Sequence, residues 1–246
     1  MKEVYHELLS RWLPTDMGGW KMKTDLFEEA VTPHHPLSDL GPGSLGMDFS
    51  ESVVQAAGER LQGEMGEHPL LAGDLRRIPL RSSTLSGILS GSSLDHFSDP
   101  DEIAGCLEEL VRVMADNGVL VITFDNPHNP LVWLRNKLPY RWLRRFRLVP
   151  YYVGATYGRD EARWRLESLG LRITDVTAAA HAPRALVIGL LALAERFGWD
   201  RVRKTVGKRL GLFERLERWP TRYLTGYYVA LRAEKPPRPG RGKGRH

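Results

Sequence analysis

The sequence predicts an α/β fold built on a doubly wound parallel sheet, and three observations carry that prediction. Short apolar stretches of strand length alternate with helical ones along most of the chain. One stretch, Val119 to Phe124 (VLVITF), is apolar without interruption, as a strand covered on both faces must be. A third stretch, Leu45 to Asp48 within SLGMDFSES, ends on an acid and runs into a helical pattern. Ligands bind at the carboxyl ends of the strands in such sheets, where a carboxylate can accept both hydroxyls of a ribose.

Taken in order, Val4, Tyr5, Leu8, Leu9 and Trp12 form one face of an N-terminal helix closed by Pro14, so that 1–19 stands apart as a helical lead. Trp20 to Asp25 (WKMKTD) reads as the first strand and Leu26 to Val31 as a short helical start. The segment TPHHPLSDLGPG, with three prolines and two glycines, excludes a long helix between Thr32 and Gly43. After the Asp48 strand, Val53, Val54, Ala57 and Leu61 share a helix face; Ser50 or Ser52 can cap it, and Ser52 with Gln55 has capping-box spacing. Pro69 to Asp74 and Leu85 to Ser90 give the third and fourth strands. The strongest helix has Asp99 as cap, Pro100 at its first position and Ile103, Leu107, Leu110, Val111 and Met114 along one face, with Asn117-Gly118 as its end. Arg159 to Leu169 is a helix stopped by Gly170, followed by strands at Leu171 to Thr177 and Tyr223 to Ala233. The Pro, Gly, Arg and Lys composition of 234–246 predicts a disordered tail.

Composition narrows the function classes. A chain of 246 residues that is 42% apolar and 26% charged has enough length for one large core. No signal peptide is legible at its start, and its longest apolar run, Ala185 to Ala194, falls short of the roughly 18 residues a membrane span needs. The single cysteine, Cys106, excludes an internal disulfide, and a reducing cytoplasm is the expected compartment. The formal charge of +5 is uneven: 183–222 holds ten Lys or Arg against four acids, and the tail adds a further net +4, so the body is acidic. That distribution argues against a nucleic-acid-binding face and for local contact with something anionic.

The order of these motifs resembles the class I S-adenosylmethionine-dependent methyltransferases, in the branch acting on small molecules, from about Lys21 to Ala233. Asp25 and Asp48, 23 residues apart, match the acids that end the family's first two strands. Gly73-Asp74-Leu75 and Ile78-Pro79-Leu80 match its third-strand acid and the Leu-Pro pair that follows. Arg112 to Gly118 matches the end of the helix before the fifth strand. The resemblance implies a seven-stranded, mostly parallel Rossmann-like sheet with an antiparallel last strand, and a helical lid inserted at about 183–222. It implies S-adenosyl-L-methionine as cofactor, held by Asp25, Asp48, Phe49, Asp74, Leu75 and Ser90. Two departures stand out. The family's three first-loop glycines are here Phe27, Glu29 and Val31, and Ser86 stands where an acid usually opens the fourth strand.

Beyond the cofactor set, Asp95 and His96 follow the fourth strand, where the family places methyl transfer. His96 is the candidate base, with a proton affinity suited to neutral pH. Asp125, Asn126 and His128 follow the fifth strand and His181 the sixth, as candidate acceptor contacts. His34 and His35 lack the acids or thiols of a metal site. Two basic-aromatic stretches, Leu131 to Tyr152 and Arg184 to Trp219, read as a lid over the acceptor or as a surface for an anionic membrane. The reading is thus a methyltransferase of a small or lipid-like acceptor, cytoplasmic and at most peripheral to a membrane. Its rivals are a binding module that has lost the donor, and a peripheral membrane protein working through its basic lid.

Overall fold

The computed structural model describes residues 11–32, 35–61, 68–91, 93–145, 154–181 and 219–237, with four isolated residues between 194 and 216. Seven strands form one sheet in the order β3-β2-β1-β4-β5-β7-β6: β1 (Trp20–Lys23), β2 (Ser44–Asp48), β3 (Leu70–Ala72), β4 (Leu85–Gly91), β5 (Met114–Asp125), β6 (Arg172–Ala179) and β7 (Tyr228–Glu234). The first five pair parallel, and β7 is antiparallel to both β5 and β6. This is the doubly wound, mostly parallel architecture expected. The helices named among the described residues are α1 (Phe27–Val31), α2 (Pro36–Asp39), α3 (Glu51–Leu61), α4 (Pro100–Val113), α5 (Pro130–Lys137), α6 (Tyr140–Arg145), α7 (Arg159–Ser168) and α8 (Arg222–Thr225), with a 3-10 turn at Leu94–His96. No helix among the described residues is long and apolar enough to cross a membrane.

Each sheet face has its own core. On one, Ile103, Cys106, Leu107 and Leu110 of α4 and Ala162 and Leu166 of α7 pack against Met22, Met47, Ile88 and Leu120. On the other, Trp12, Leu13, Leu26, Leu37 and Ala57 cover Leu89, Val121 and Ala230. Gly46 permits the close approach on that side, because a Cβ there would stand 2.5 Å from the Leu26 side chain.

Two element ends depart from the sequence reading, and a third settles between its alternatives. The strong helix stops at Val113, not at Asn117-Gly118. Its last carbonyls are already taken: Ser83 N–H and Thr84 N–H donate to Arg112 O and Val113 O, and Lys235 Nζ donates to Val111 O and Met114 O. The chain therefore enters β5 at Met114, and Asn117 (φ 62°) turns it toward Val119. The last strand starts at Tyr228, not Tyr223, because Arg222–Thr225 closes a helical turn whose Gly226 N–H donates to Arg222 O. Of the two candidate caps on α3, Ser50 takes the position, its Oγ accepting from Val53 N–H, so the Ser52–Gln55 box does not form. The N-terminal helix lies outside the described residues up to residue 10, as do most of 183–222 and the tail from 238.

Candidate functional site

The helix layers change sides between β1 and β4, so the switch point of the sheet lies at the carboxyl ends of those two strands, the place where open α/β sheets bind ligands. Register carries the rest. Lys23 pairs with Gly46 on one side and Leu89 on the other, which sets Asp25 level with Asp48 and with Gly91. Thr24 Oγ1 donates to Ser90 Oγ at 3.0 Å and lies 2.8 Å from Ser93 Oγ, and Ser93 Oγ is also 2.8 Å from Thr24 O. Ser90, a sequence candidate, is thus one of three hydroxyls tying β1 to β4. Thr24 and Ser93 were missed, and the register of two strands distant in sequence is the signal that reveals them.

Asp48 sits at the end of β2 with each oxygen accepting one backbone N–H: Oδ2 from Leu26 at 3.0 Å and Oδ1 from Ser50 at 2.8 Å. Each carboxylate oxygen has one further lone pair to offer. Asp25 Oδ1 accepts from Phe27 N–H at 2.7 Å. Burial raises the Asp25 pKa, opposed by the Lys23 ammonium and reinforced by the negative charges of Asp48 and Glu29. Phe49, next to Asp48, is 74% exposed, an aromatic face presented to solvent beside two carboxylates.

The turn that lacks glycines is an ordinary helical one. Among the described residues, no residue from Asp25 to Thr32 has a positive φ. Glu29 is wholly buried: it pairs with Lys23 Nζ at 2.9 Å and accepts Leu37 N–H at 2.8 Å, so it ties β1, α1 and α2 together. Lys23 Nζ also donates to Asp25 O. Phe27 and Val31 face outward and are more than half exposed. The three side chains in glycine positions thus have a structural arrangement of their own, and the turn still brings Leu26 N–H onto the Asp48 carboxylate.

Asp74 is clamped by Arg76, whose Nε and Nη2 reach its carboxylate at 2.6–3.1 Å while Nη1 reaches Glu102 at 2.7 Å. These bonds hold the Asp74 pKa below the usual carboxylate range. Leu75 packs half-buried on the core.

Past β4 lies a buried charge cluster. Asp95 Oδ2 accepts Asp125 N–H at 3.0 Å, while Oδ1 is buried with no hydrogen-bond partner. Burial, and then the Asp125 charge, push the Asp95 pKa well above the ordinary range. Asp125 pairs with Arg135 Nη1 at 2.6 Å, and the same nitrogen donates to the Tyr227 hydroxyl at 2.9 Å. Gly154 seals this end: its N–H donates to Asp95 O, and a Cβ would stand 2.0 Å from Phe97 O. His96 belongs to the 3-10 turn, but its side chain lies outside the described residues, as does His34.

The other candidates are placed as follows. Asn126 is fully buried: its Nδ2 donates to Tyr223 O and Gly226 O, and its Oδ1 accepts His128 N–H. It braces the β5 exit against α8. His181 is buried, Nε2 at 2.9 Å from Ala178 O and Nδ1 at 2.8 Å from Thr225 Oγ1, bonds that fix the ring inside the fold. His128 alone of this set is exposed, beside Gly158. No cluster of three or more His, Cys, Asp or Glu able to hold a metal occurs among the described residues.

This strand order, with an antiparallel β7 between β5 and β6 and acids at the ends of β1 and β2, defines a methyltransferase-type Rossmann-like domain. The comparisons agree. Residues 32–122 match the family model described as a methyltransferase domain. The fold is similar to that of a SAM-dependent methyltransferase from Archaeoglobus fulgidus, at 15% identity, TM-score 0.60, and 96% of this chain over 95% of that one. It is similar also to the N-methyltransferase NodS from Bradyrhizobium japonicum, in complex with S-adenosyl-L-homocysteine, at 11% identity, TM-score 0.57, and 96% over 87%. The [4+2]-cyclase SpnF shares the fold too, at 17% identity, TM-score 0.60, and 95% over 80%. No curated protein matches the chain. The chain thus shares its fold with these methyltransferases and matches the methyltransferase-domain model over 32–122, as the motif order implies.

Proposed function

We propose that this protein transfers a methyl group from S-adenosyl-L-methionine to a small or lipid-like acceptor. The observation that carries the reading is the pair of acids, Asp25 and Asp48, held level across adjacent strands at the switch point of a domain that matches the methyltransferases. The free lone pairs of Asp48 suit a ribose diol, and the exposed Phe49 ring suits the adenine face. Asp25 serves the amino-acid end of the donor, and Leu75 and Ser90 line the same edge. Asp74 serves the adenine amine through whatever acceptor capacity Arg76 leaves it.

The donor supplies an electrophilic methyl on a sulfonium and departs as a neutral thioether, so the protein's task is chiefly alignment. The side chains past β4 and β5 face that task from the acceptor side. Asp95, buried and with its proton favoured, offers a neutral carboxyl whose O–H can donate a hydrogen bond toward the acceptor end. His96 is the candidate base, His128 is exposed toward the acceptor end, and Asp125 lies beside it, while Asn126 and His181 brace the walls behind it.

A second reading, a domain of this fold that does not methylate, is favoured by Phe27, Glu29 and Val31 at the glycine positions, and a cyclase shares the fold. One measurement separates the two. S-adenosylhomocysteine should raise the melting temperature and bind by calorimetry, with affinity lowered in Asp48→Asn. No binding to the wild-type chain would refute the methyltransferase reading.

A further inference from the structure

Helix α5 leaves the carboxyl end of β5 directly beside Asp125, its inner side firmly fixed, and α6 follows it. Asn129 caps α5, accepting Leu131 N–H at 2.9 Å, while its Nδ2 donates to Thr225 O at 2.9 Å. Val132 is fully buried, and Arg135, three residues on, points the same way into its pair with Asp125. The outer side is different. Leu131, Leu134 and Leu138 recur at helical spacing and are 36–49% exposed, and Trp142 of α6 is 63% exposed. Residues 130–145 carry five Lys or Arg and no acid. With Arg135 committed to Asp125, the outward cations include Lys137, Arg141 and Arg145, which follow one another at four-residue intervals. Pro139, Arg141, Trp142 and Arg145 line an open depression of about 880 Å³.

We infer that the outer face of α5–α6 is a seat for an anionic lipid bilayer. Leu131, Leu134, Leu138 and Trp142 enter the headgroup layer, and Lys137, Arg141 and Arg145 hold lipid phosphates. Leucines and a tryptophan with cations at their margin are what an interfacial helix requires. The absence of acids commits the face to a negatively charged partner, and the clamped inner side gives the insertion a rigid base. The seat adjoins the β5 end of the candidate site, so a lipid-like acceptor would be presented without leaving the membrane.

The test is co-sedimentation of the full chain with vesicles of phosphatidylcholine alone, or with about a third phosphatidylglycerol, at low and high salt. At about 1 kcal/mol for each cation near an anionic surface, Lys137→Ala/Arg141→Ala/Arg145→Ala should lower partitioning about a hundredfold. Trp142→Ala should lower it several-fold on the same vesicles while leaving the melting temperature in place. Neutralising Arg201, Arg203 and Lys204 instead, in the basic stretch the sequence alone also offers, should have little effect. Equal binding to both vesicle types, no binding to either, or undiminished binding by the triple variant would overturn the inference. Binding to single-stranded RNA in place of vesicles would assign the face to nucleic acid and overturn it as well. Binding of S-adenosylhomocysteine is measured separately and is unaffected by any of these outcomes, so this surface and the catalytic reading fail independently.

Discussion

The perturbation that most directly probes the glycine-poor turn is Glu29→Ala. Glu29 is fully buried, and Lys23, its partner at 2.9 Å, is nearly so. Removing one member of a buried ion pair leaves the other charge uncompensated, a loss of about 3–5 kcal/mol. Leu37 N–H also loses its acceptor. That second loss, about 1–3 kcal/mol when taken alone, does not add in full because α2 can shift toward water. A total near 4 kcal/mol corresponds to a fall of about 1–2 M in the urea midpoint, for a slope toward the upper end of the usual range. Glu29→Gln isolates the charge, since it keeps an acceptor for Leu37 N–H, and it should cost less than Glu29→Ala. Lys23→Met combined with Glu29→Gln removes both charges and should recover most of the loss. Equilibrium urea unfolding of wild type and these three variants, followed by tryptophan fluorescence and circular dichroism, ranks the losses. A loss below about 1 kcal/mol for Glu29→Ala would refute the argument that Glu29 replaces a glycine by bracing the turn.

Three further outcomes follow from the same geometry. Asp48→Asn should weaken S-adenosylhomocysteine binding roughly ten- to a hundredfold by calorimetry, the worth of a charged acceptor, with a small stability cost at Leu26 and Ser50; unchanged affinity would remove Asp48 from the donor site. The folded-state pKa of Asp95 is raised, so its protonated form is favoured by folding: its contribution is fully present below the unfolded value near 4 and is lost as pH rises through the raised one. Asp95→Asn should therefore gain stability relative to wild type as pH rises from the ordinary carboxylate range, and a constant difference in urea midpoint across pH would contradict it. Arg135→Met should leave Asp125 and Asp95 buried without their cation, costing about 3–5 kcal/mol and loosening α5, read as a lower melting temperature and faster proteolysis within 130–145.

The fold was legible because its signals are local. VLVITF needs two covered faces, Asp99-Pro100 opens a helix wherever it falls, and the acid of SLGMD marks a strand end by its own position. What failed was set by remote partners. Nothing near Val113 says that its helix ends there, because the side chain that caps it, Lys235, lies more than a hundred residues away. The candidate site divides in the same manner. Asp48 is marked by its own strand end, Asp25 joins it through the resemblance, and register sets the two level. Asn126 and His181 look like ligand contacts by residue type, yet both satisfy carbonyls or hydroxyls brought in by α8 and the sheet margin. The Asp95, Asp125 and Arg135 cluster could not be read from either segment, since Arg135 sits in a stretch where Lys137, Arg141 and Arg145 face outward.

The position of β7 between β5 and β6 has a consequence for how the chain is made. Among the described residues β6 pairs in the sheet with β7 alone, and β7 is the last of these strands to be synthesised. While translation proceeds past β6, its described sheet partner is not yet made, and the edge of β5 that β7 covers stays open. A nascent chain of this protein therefore carries an unpaired strand edge through the whole interval between residues 179 and 228. A ribosome stalled in that interval would expose this edge, and holdase chaperones should associate with the stalled chain until 228–234 emerges.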